Sequence, residues 1–160
     1  MVILNGFHGV SFRRTSTVEE QKFPGEILVE AIYMVNKENK MFMSWIARPT
    51  GNCEDFSTPI NMTNHAYWNL SGDFKDSTVT NHTLQLNCPH YLPMGPGSIP
   101  TGEIASVTST PLDFTSENQS VGSNGRLELD NGGNFPGLDH VFIVPRNTID
   151  DFDFIEVATL

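Results

Sequence analysis

The sequence predicts an all-β fold of antiparallel strands, and three observations predict it. Ten prolines and thirteen glycines interrupt the 160 residues too often for long helices. Between those marks apolar residues recur with a period of two, the repeat of an extended chain. No window of a dozen residues repeats its apolar positions at three and four, as an amphipathic helix would.

The strands follow in order. From Ile27 to Val35 the odd positions Ile27, Val29, Ala31, Tyr33 and Val35 share one face, while Leu28, Ile32 and Met34 with Glu30 share the other. A strand apolar on both faces is covered on both for most of its length. The polar turn Asn36-Lys37-Glu38-Asn39-Lys40 follows, and Met41 to Ala47 returns, which makes a hairpin. Further strands are expected at Ile60 to Tyr67, Thr83 to Asn87, Ile104 to Ser109, Val141 to Val144 and Phe152 to Val157. The stretch from Ser116 to Gly137, rich in glycine and asparagine, reads as a long loop within one domain, and such loops are often functional. No internal repeat or low-complexity tract interrupts the pattern.

Composition narrows the function. A chain of 160 residues fits one domain or part of one, and its Leu, Ile, Val and Phe content is high enough to bury a core. The formal net charge of −10 repels phosphate backbones and anionic lipid, so neither nucleic acid nor a membrane surface is expected as a partner. No apolar run approaches the roughly 20 residues of a membrane span. The N-terminal residues lack the features of a secretory signal, and a cytoplasmic location is the expectation. Cys53 and Cys88 are too far apart for a metal knuckle or a redox pair and are expected to be reduced and inert.

Chemistry concentrates in two places. Along Ile60 to Leu70 the alternation sets Ile60, Met62, Ala66, Trp68 and Leu70 on one side, with Asn64 as the exception, and Asn61, Thr63, His65, Tyr67 and Asn69 on the other. A row of hydrogen-bonding groups with an aromatic ring suits a polyol, whose hydroxyls each want a donor or an acceptor. His65 lies in the middle of that row, and an imidazole with a pKa near 6.5 can give or take a proton at neutral pH. The same alternation also describes an ordinary strand with its polar face in water. The second place is Gly137-Leu138-Asp139-His140, ahead of the apolar run Val141 to Val144. A carboxylate there can accept two sugar hydroxyls at once, or simply cap the amides of a turn. His65, His82, His90 and His140 lack the spacing of metal ligands, and there is no phosphate-binding glycine loop or nucleophile elbow. Neither a metal nor a cofactor is expected.

The segment Thr58-Pro59-Ile60-Asn61-Met62-Thr63-Asn64-His65-Ala66-Tyr67-Trp68-Asn69-Leu70-Ser71-Gly72 resembles the TPVNLTNHSYFNLAG signature of the aldose 1-epimerases, the galactose mutarotases. Further stretches are similar to family motifs in the family's order. Phe23-Pro24-Gly25-Glu26 resembles YPGEL, and Tyr91-Leu92-Pro93 followed by Ile99-Pro100-Thr101-Gly102-Glu103 resembles YLPVDxxLIPTGE. Thr110-Pro111-Leu112-Asp113-Phe114 follows in place, and Gly137-Leu138-Asp139-His140 resembles GFDH.

The resemblance implies an antiparallel β-sandwich of the galactose mutarotase type, with residues 1–160 as a partial domain truncated at both ends. It implies interconversion of the α and β anomers of a hexose, galactose or glucose, with His65 at the general-acid position and Asp139, Asn61 and Tyr67 holding sugar. The implied general base is a Glu in a segment like FCLETQNWP, which these 160 residues do not contain. An upstream Asn-Arg pair and a His-Gly-Gly motif are also missing, and His8-Gly9 is not assigned to the latter. Glu103 belongs to the IPTGE match and is not the base. The alternative is a non-catalytic carbohydrate-binding or inert fragment. On the site geometry, His65 is expected to share a face with Asn61, Thr63 and Tyr67 while Met62, Ala66 and Trp68 pack inward.

Overall fold

A computed structural model describes residues 2–50, 57–75, 78–145 and 157–159. The chain divides into two compact units, Met1–Tyr67 and Trp68–Leu160. Every strand pair in both is antiparallel, and the longest helix among the described residues is the four-residue α1, Val18–Gln21.

The first unit is a four-stranded sheet in the order β1 (Val2–Leu4), β2 (Phe7–Ser16), β3 (Ile27–Val35) and β4 (Met41–Pro49). Its turns explain its register. Leu4 stands opposite Phe7, so Asn5-Gly6 is a two-residue hairpin loop with φ of 47° and 81°. Positive φ at both positions is what a type I′ turn requires and what Asn-Gly tolerates best. Between β3 and β4 the Asn36 side chain accepts from the backbone N–H of Glu38 at 3.0 Å and of Lys40 at 2.9 Å, while Asn39 takes a φ of 60°. The predicted hairpin stands, with β4 extended to Pro49.

Directly opposed residues share a face. One face of the sheet carries Phe12, Tyr33 and Trp45, whose rings meet edge to face at 6.5 and 6.3 Å. The other carries Ser11, Arg13 and Glu30, where the Ser11 hydroxyl and the Arg13 Nε, at 2.9 Å, both donate to the Glu30 carboxylate. Those two donors, Ser11 first, hold the Glu30 carboxyl below its usual range. Among the described side chains of this sheet, the apolar ones other than Ile27 and Met34 are only part-buried or exposed, less than the cover on both faces that the alternation suggested for 27–35.

The second unit uses short strands: β5 (Thr83–Leu86), β6 (His90–Leu92), β7 (Met94–Gly95), β8 (Ile99–Pro100), β9 (Ala105–Ser106), β10 (Gln119–Ser120), β11 (Val141–Ile143) and β12 (Ala158–Thr159). They form sheets in the orders β10-β5-β12, β11-β6-β9 and β7-β8. Leu86, Cys88 and Phe114 make its core, with Leu84, Leu138, Phe142 and Val157 packed against them. Burial pushes the Cys88 thiol up and keeps it protonated, in line with an inert cysteine. Cys53 lies outside the described residues.

The predicted strands at 83–87 and 141–144 form one residue shorter, and the one at 104–109 shrinks to β9, because Val107 O accepts from Thr110 N–H and turns the chain. Residues 152–156 of the strand expected at 152–157 lie outside the described residues. The strand expected at 60–67 does not form. Its backbone joins no ladder, and side chains take backbone groups instead: the Ala66 N–H donates to Asn64 Oδ1 at 2.9 Å. Asn and Ser side chains offer extended backbone this local alternative to a sheet.

Candidate functional site

Asn61, His65 and Tyr67 belong to the first unit and Asp139 to the second. The segment from Thr58 to Tyr67 runs over the aromatic face of the sheet. Asn64 Nδ2 donates to the Tyr33 hydroxyl at 3.4 Å, and Thr58 to Met62 close a groove of ≈ 270 Å³ against Ser16, Ile27 and Val29. Asn61 is among the residues that line that groove. His65 and Tyr67 lie side by side with ring centroids 5.3 Å apart and planes tilted by 36°. Both face outward, and Tyr67 is 90% exposed.

The shared face of His65 and Tyr67 therefore holds, but the packed row expected opposite them does not. Met62, Ala66 and Trp68 are exposed, and it is Asn64, the polar exception in the alternation, that turns toward the sheet and is half-buried. Without a ladder the period of two still sets side-chain direction over His65-Ala66-Tyr67, yet nothing presses the apolar members into a core.

Asp139 stands two residues before β11, at the mouth of a strand as its sequence context indicated. It is exposed and lines an open hollow of ≈ 440 Å³ with Gly97, Ser98, Asn131, Asn134 and Phe135. The wall is built by buried Asn131, whose Nδ2 donates to Gly137 O at 3.2 Å while its Oδ1 accepts from Gly133 N–H at 2.9 Å. Gly132, at a φ of 71°, offers its carbonyl to the N–H groups of Gly97 at 2.7 Å and Ser98 at 3.2 Å. A Cβ there would sit 1.8 Å from the Gly95 carbonyl oxygen, so only glycine allows this crossing of two chains. His140, next to Asp139, packs its ring against Tyr91 at 5.9 Å.

Sequence reasoning passed over Asn131 and Arg126. The signal for the first was the Asp130-Asn131-Gly132-Gly133 run, whose Asx acceptors fix turns. Arg126 is 1% exposed and lies over the Phe114 ring at 4.1 Å. Its guanidinium donates to the carbonyls of Pro111 at 2.7 Å, Asp113 at 3.0 Å and Ser120, so it joins the Thr110–Phe114 stretch to the loop that leads to Asp139. Among the described residues no group of His, Cys, Asp and Glu is placed to hold a metal ion, and no helix is long and apolar enough to cross a membrane.

Residues 5–154 match the profile of the family described as aldose 1-epimerase. The aldose 1-epimerase of Escherichia coli K12 is 33% identical over 135 residues, which are 84% of this chain and 36% of that protein. The galactose mutarotase of Bos taurus is 34% identical over 107 residues, 67% of this chain and 29% of that one. Among solved structures, an aldose epimerase homologue from C. elegans superposes with a TM-score of 0.63 at 27% identity, covering 89% of this chain and 42% of that one. Galactose 1-epimerase from Lactobacillus acidophilus gives 0.72 at 22% identity, covering 98% and 42%, a likeness of fold. The chain thus spans about a third of the length of the curated relatives it matches.

Proposed function

We propose that this chain, which belongs to the aldose 1-epimerase family, carries part of a cytoplasmic site that interconverts the α and β anomers of a hexose, galactose or glucose. In this reading His65 is the general acid. It gives its proton to the ring oxygen while a Glu base outside these 160 residues takes the proton of the anomeric hydroxyl. The bond between the anomeric carbon and the ring oxygen breaks, the aldehyde turns about the adjacent carbon–carbon bond, and closure on the other face returns both protons. Asp139 and Asn61 hold sugar hydroxyls, and Tyr67 offers a ring and a hydroxyl beside the acid. Acid and base in such a pair are each worth about 10² to 10⁴ in rate.

One observation carries the proposal: the signature spanning Thr58 to Gly72 contains His65 and Tyr67 as neighbours on one exposed side. The second reading is a non-catalytic carbohydrate-binding or inert member of the family. Polarimetry of freshly dissolved α-galactose distinguishes the two when paired with galactose calorimetry. Equilibration faster than buffer supports the enzyme, and heat of binding without acceleration supports the second reading. In a full-length relative, the counterpart of His65→Asn should lower kcat/KM for mutarotation by at least about a hundredfold with the fold intact. A change smaller than about threefold would remove His65 from the acid role.

A further inference from the structure

The hollow that holds Asp139 is lined in part by a buried polar side chain. Asn131 is 6% exposed, and both ends of its carboxamide are engaged: Oδ1 accepts from Gly133 N–H at 2.9 Å and Nδ2 donates to Gly137 O at 3.2 Å. A buried carboxamide satisfied at both ends is held in one orientation, because turning it over would set donor against donor and acceptor against acceptor.

The Oδ1 end belongs to a wall of closely spaced backbone. Asp130 Oδ1 accepts from Gly132 N–H at 2.8 Å, and Gly132 O in turn accepts from the N–H groups of Gly97 and Ser98. A Cβ on Gly133 would stand 3.0 Å from both Asn131 Oδ1 and Ser98 Oγ, so this wall has little slack. The Nδ2 end reaches the chain that enters β11. Gly137 takes a φ of 132°, a backbone conformation that favours glycine, and both its polar groups are held: its N–H donates to Leu129 O at 2.8 Å and its carbonyl accepts from Asn131. Beyond it, Leu138 packs against the core of the second unit and the His140 ring meets Tyr91. Neighbours in an extended chain point to opposite sides, so those two anchors turn Asp139 outward, to the hollow that it lines.

We propose that Asn131 is a positioning residue for Asp139: its carboxamide sets the gap between the Asp139 carboxylate and the Gly97–Ser98 wall, and with it the width open to a hexose. The inference rests on the reading of Asp139 as a sugar ligand. Leu138 and His140 fix the side that Asp139 faces, whereas Asn131 ties the chain before it to the opposite wall. The Asn131 role needs no contact with sugar. A carboxylate that accepts two hydroxyls at once must bring both oxygens within hydrogen-bond reach, and a displacement of about 0.5 Å is enough to spoil such a pair.

Asn131→Asp keeps the volume and the acceptor for Gly133 N–H but sets an oxygen against Gly137 O. Asn131→Ser keeps an acceptor near Gly133 N–H, falls short of Gly137, and replaces the first variant if that one does not fold. Each is compared with the wild-type full chain by NMR relaxation of backbone amides and by galactose calorimetry. The Leu138 and Asp139 amides should have order parameters of about 0.85 in wild type and fall below about 0.6 in the variants, with β5 and β11 unchanged. Galactose affinity should drop by about tenfold or more. A residue that merely stabilises the fold would spread the loss of order to β5 and β11. That spread, an unchanged Asp139 amide, or an affinity within about threefold of wild type in a variant that has lost order would each overturn the proposal. A wild type that takes up no galactose, with the order parameters as expected, would remove the sugar reading of Asp139 and uphold the brace.

Discussion

The two units reach order by opposite routes. In the first, strands of nine and ten residues are held in register by hairpin turns, while large side chains such as Phe12, 62% exposed, stay in contact with water. In the second, most strands are two or three residues long, yet Val107, Leu112, Phe114 and Arg126 are all buried. Ladder length and core density are separable: a hydrogen-bonded sheet fixes the path of the backbone, whereas the large stabilising terms come from area withdrawn from water.

The largest expected break in this contrast is at Arg126. Arg126→Ala removes the donor from three part-buried carbonyls and empties the space over Phe114, and should destabilise the second unit by on the order of 5 kcal/mol. Hydrogen exchange should lose protection at β5 and β10 and keep it at β3. Equal loss in both units would show that they unfold as one and remove the contrast.

A matched pair of truncations sharpens it. Phe114→Ala should cost about 3 to 4 kcal/mol, because its ring is buried against Phe142 at 6.3 Å. Phe12→Ala should cost less than about 1 kcal/mol, since that ring already meets water. Urea midpoints of the two variants decide the point, and similar shifts would mean that face of the first sheet is covered in solution.

The smallest effect is acid-dependent. The hydroxyl of Thr115 at 2.6 Å, and then its backbone N–H at 3.0 Å, donate to Asp113 and hold its carboxyl below the usual range. A depressed carboxyl contributes stability above its unfolded value, about 3.9, and that contribution is lost as pH falls through the folded value. Asp113→Asn should therefore flatten the acid limb of the stability profile below about pH 4 and change little at neutral pH. An unchanged acid limb would assign that dependence to other carboxylates.

How much the sequence disclosed follows the same division. The β3–β4 hairpin was legible because its alternation is long and its turn polar. β2 was not picked out, since Gly9, Arg13 and Arg14 dilute its apolar pattern, although Asn5-Gly6 was a hairpin signal in plain view. The segment from Ile60 to Tyr67 alternates without becoming a strand, because alternation describes side chains whereas a strand needs a partner for its backbone. Asp139 was placed correctly at the mouth of β11. The parts played by Asn131 and Arg126 were not visible, since a lone Arg in a glycine-rich stretch reads as solvated until its acceptors converge from distant positions.

The supports of the Ser116–Gly137 stretch also change how it counts as a polymer. Ser120 O accepts from Ser123 N–H, Ser123 O from Arg126 N–H, Gly125 O from Glu128 N–H and Leu129 O from Gly137 N–H. The excursion is thus a necklace of small rings rather than one wide loop, and the entropy of closure grows only with the logarithm of each ring's size. The last of these rings, Leu129 to Gly137, closes two residues before Asp139.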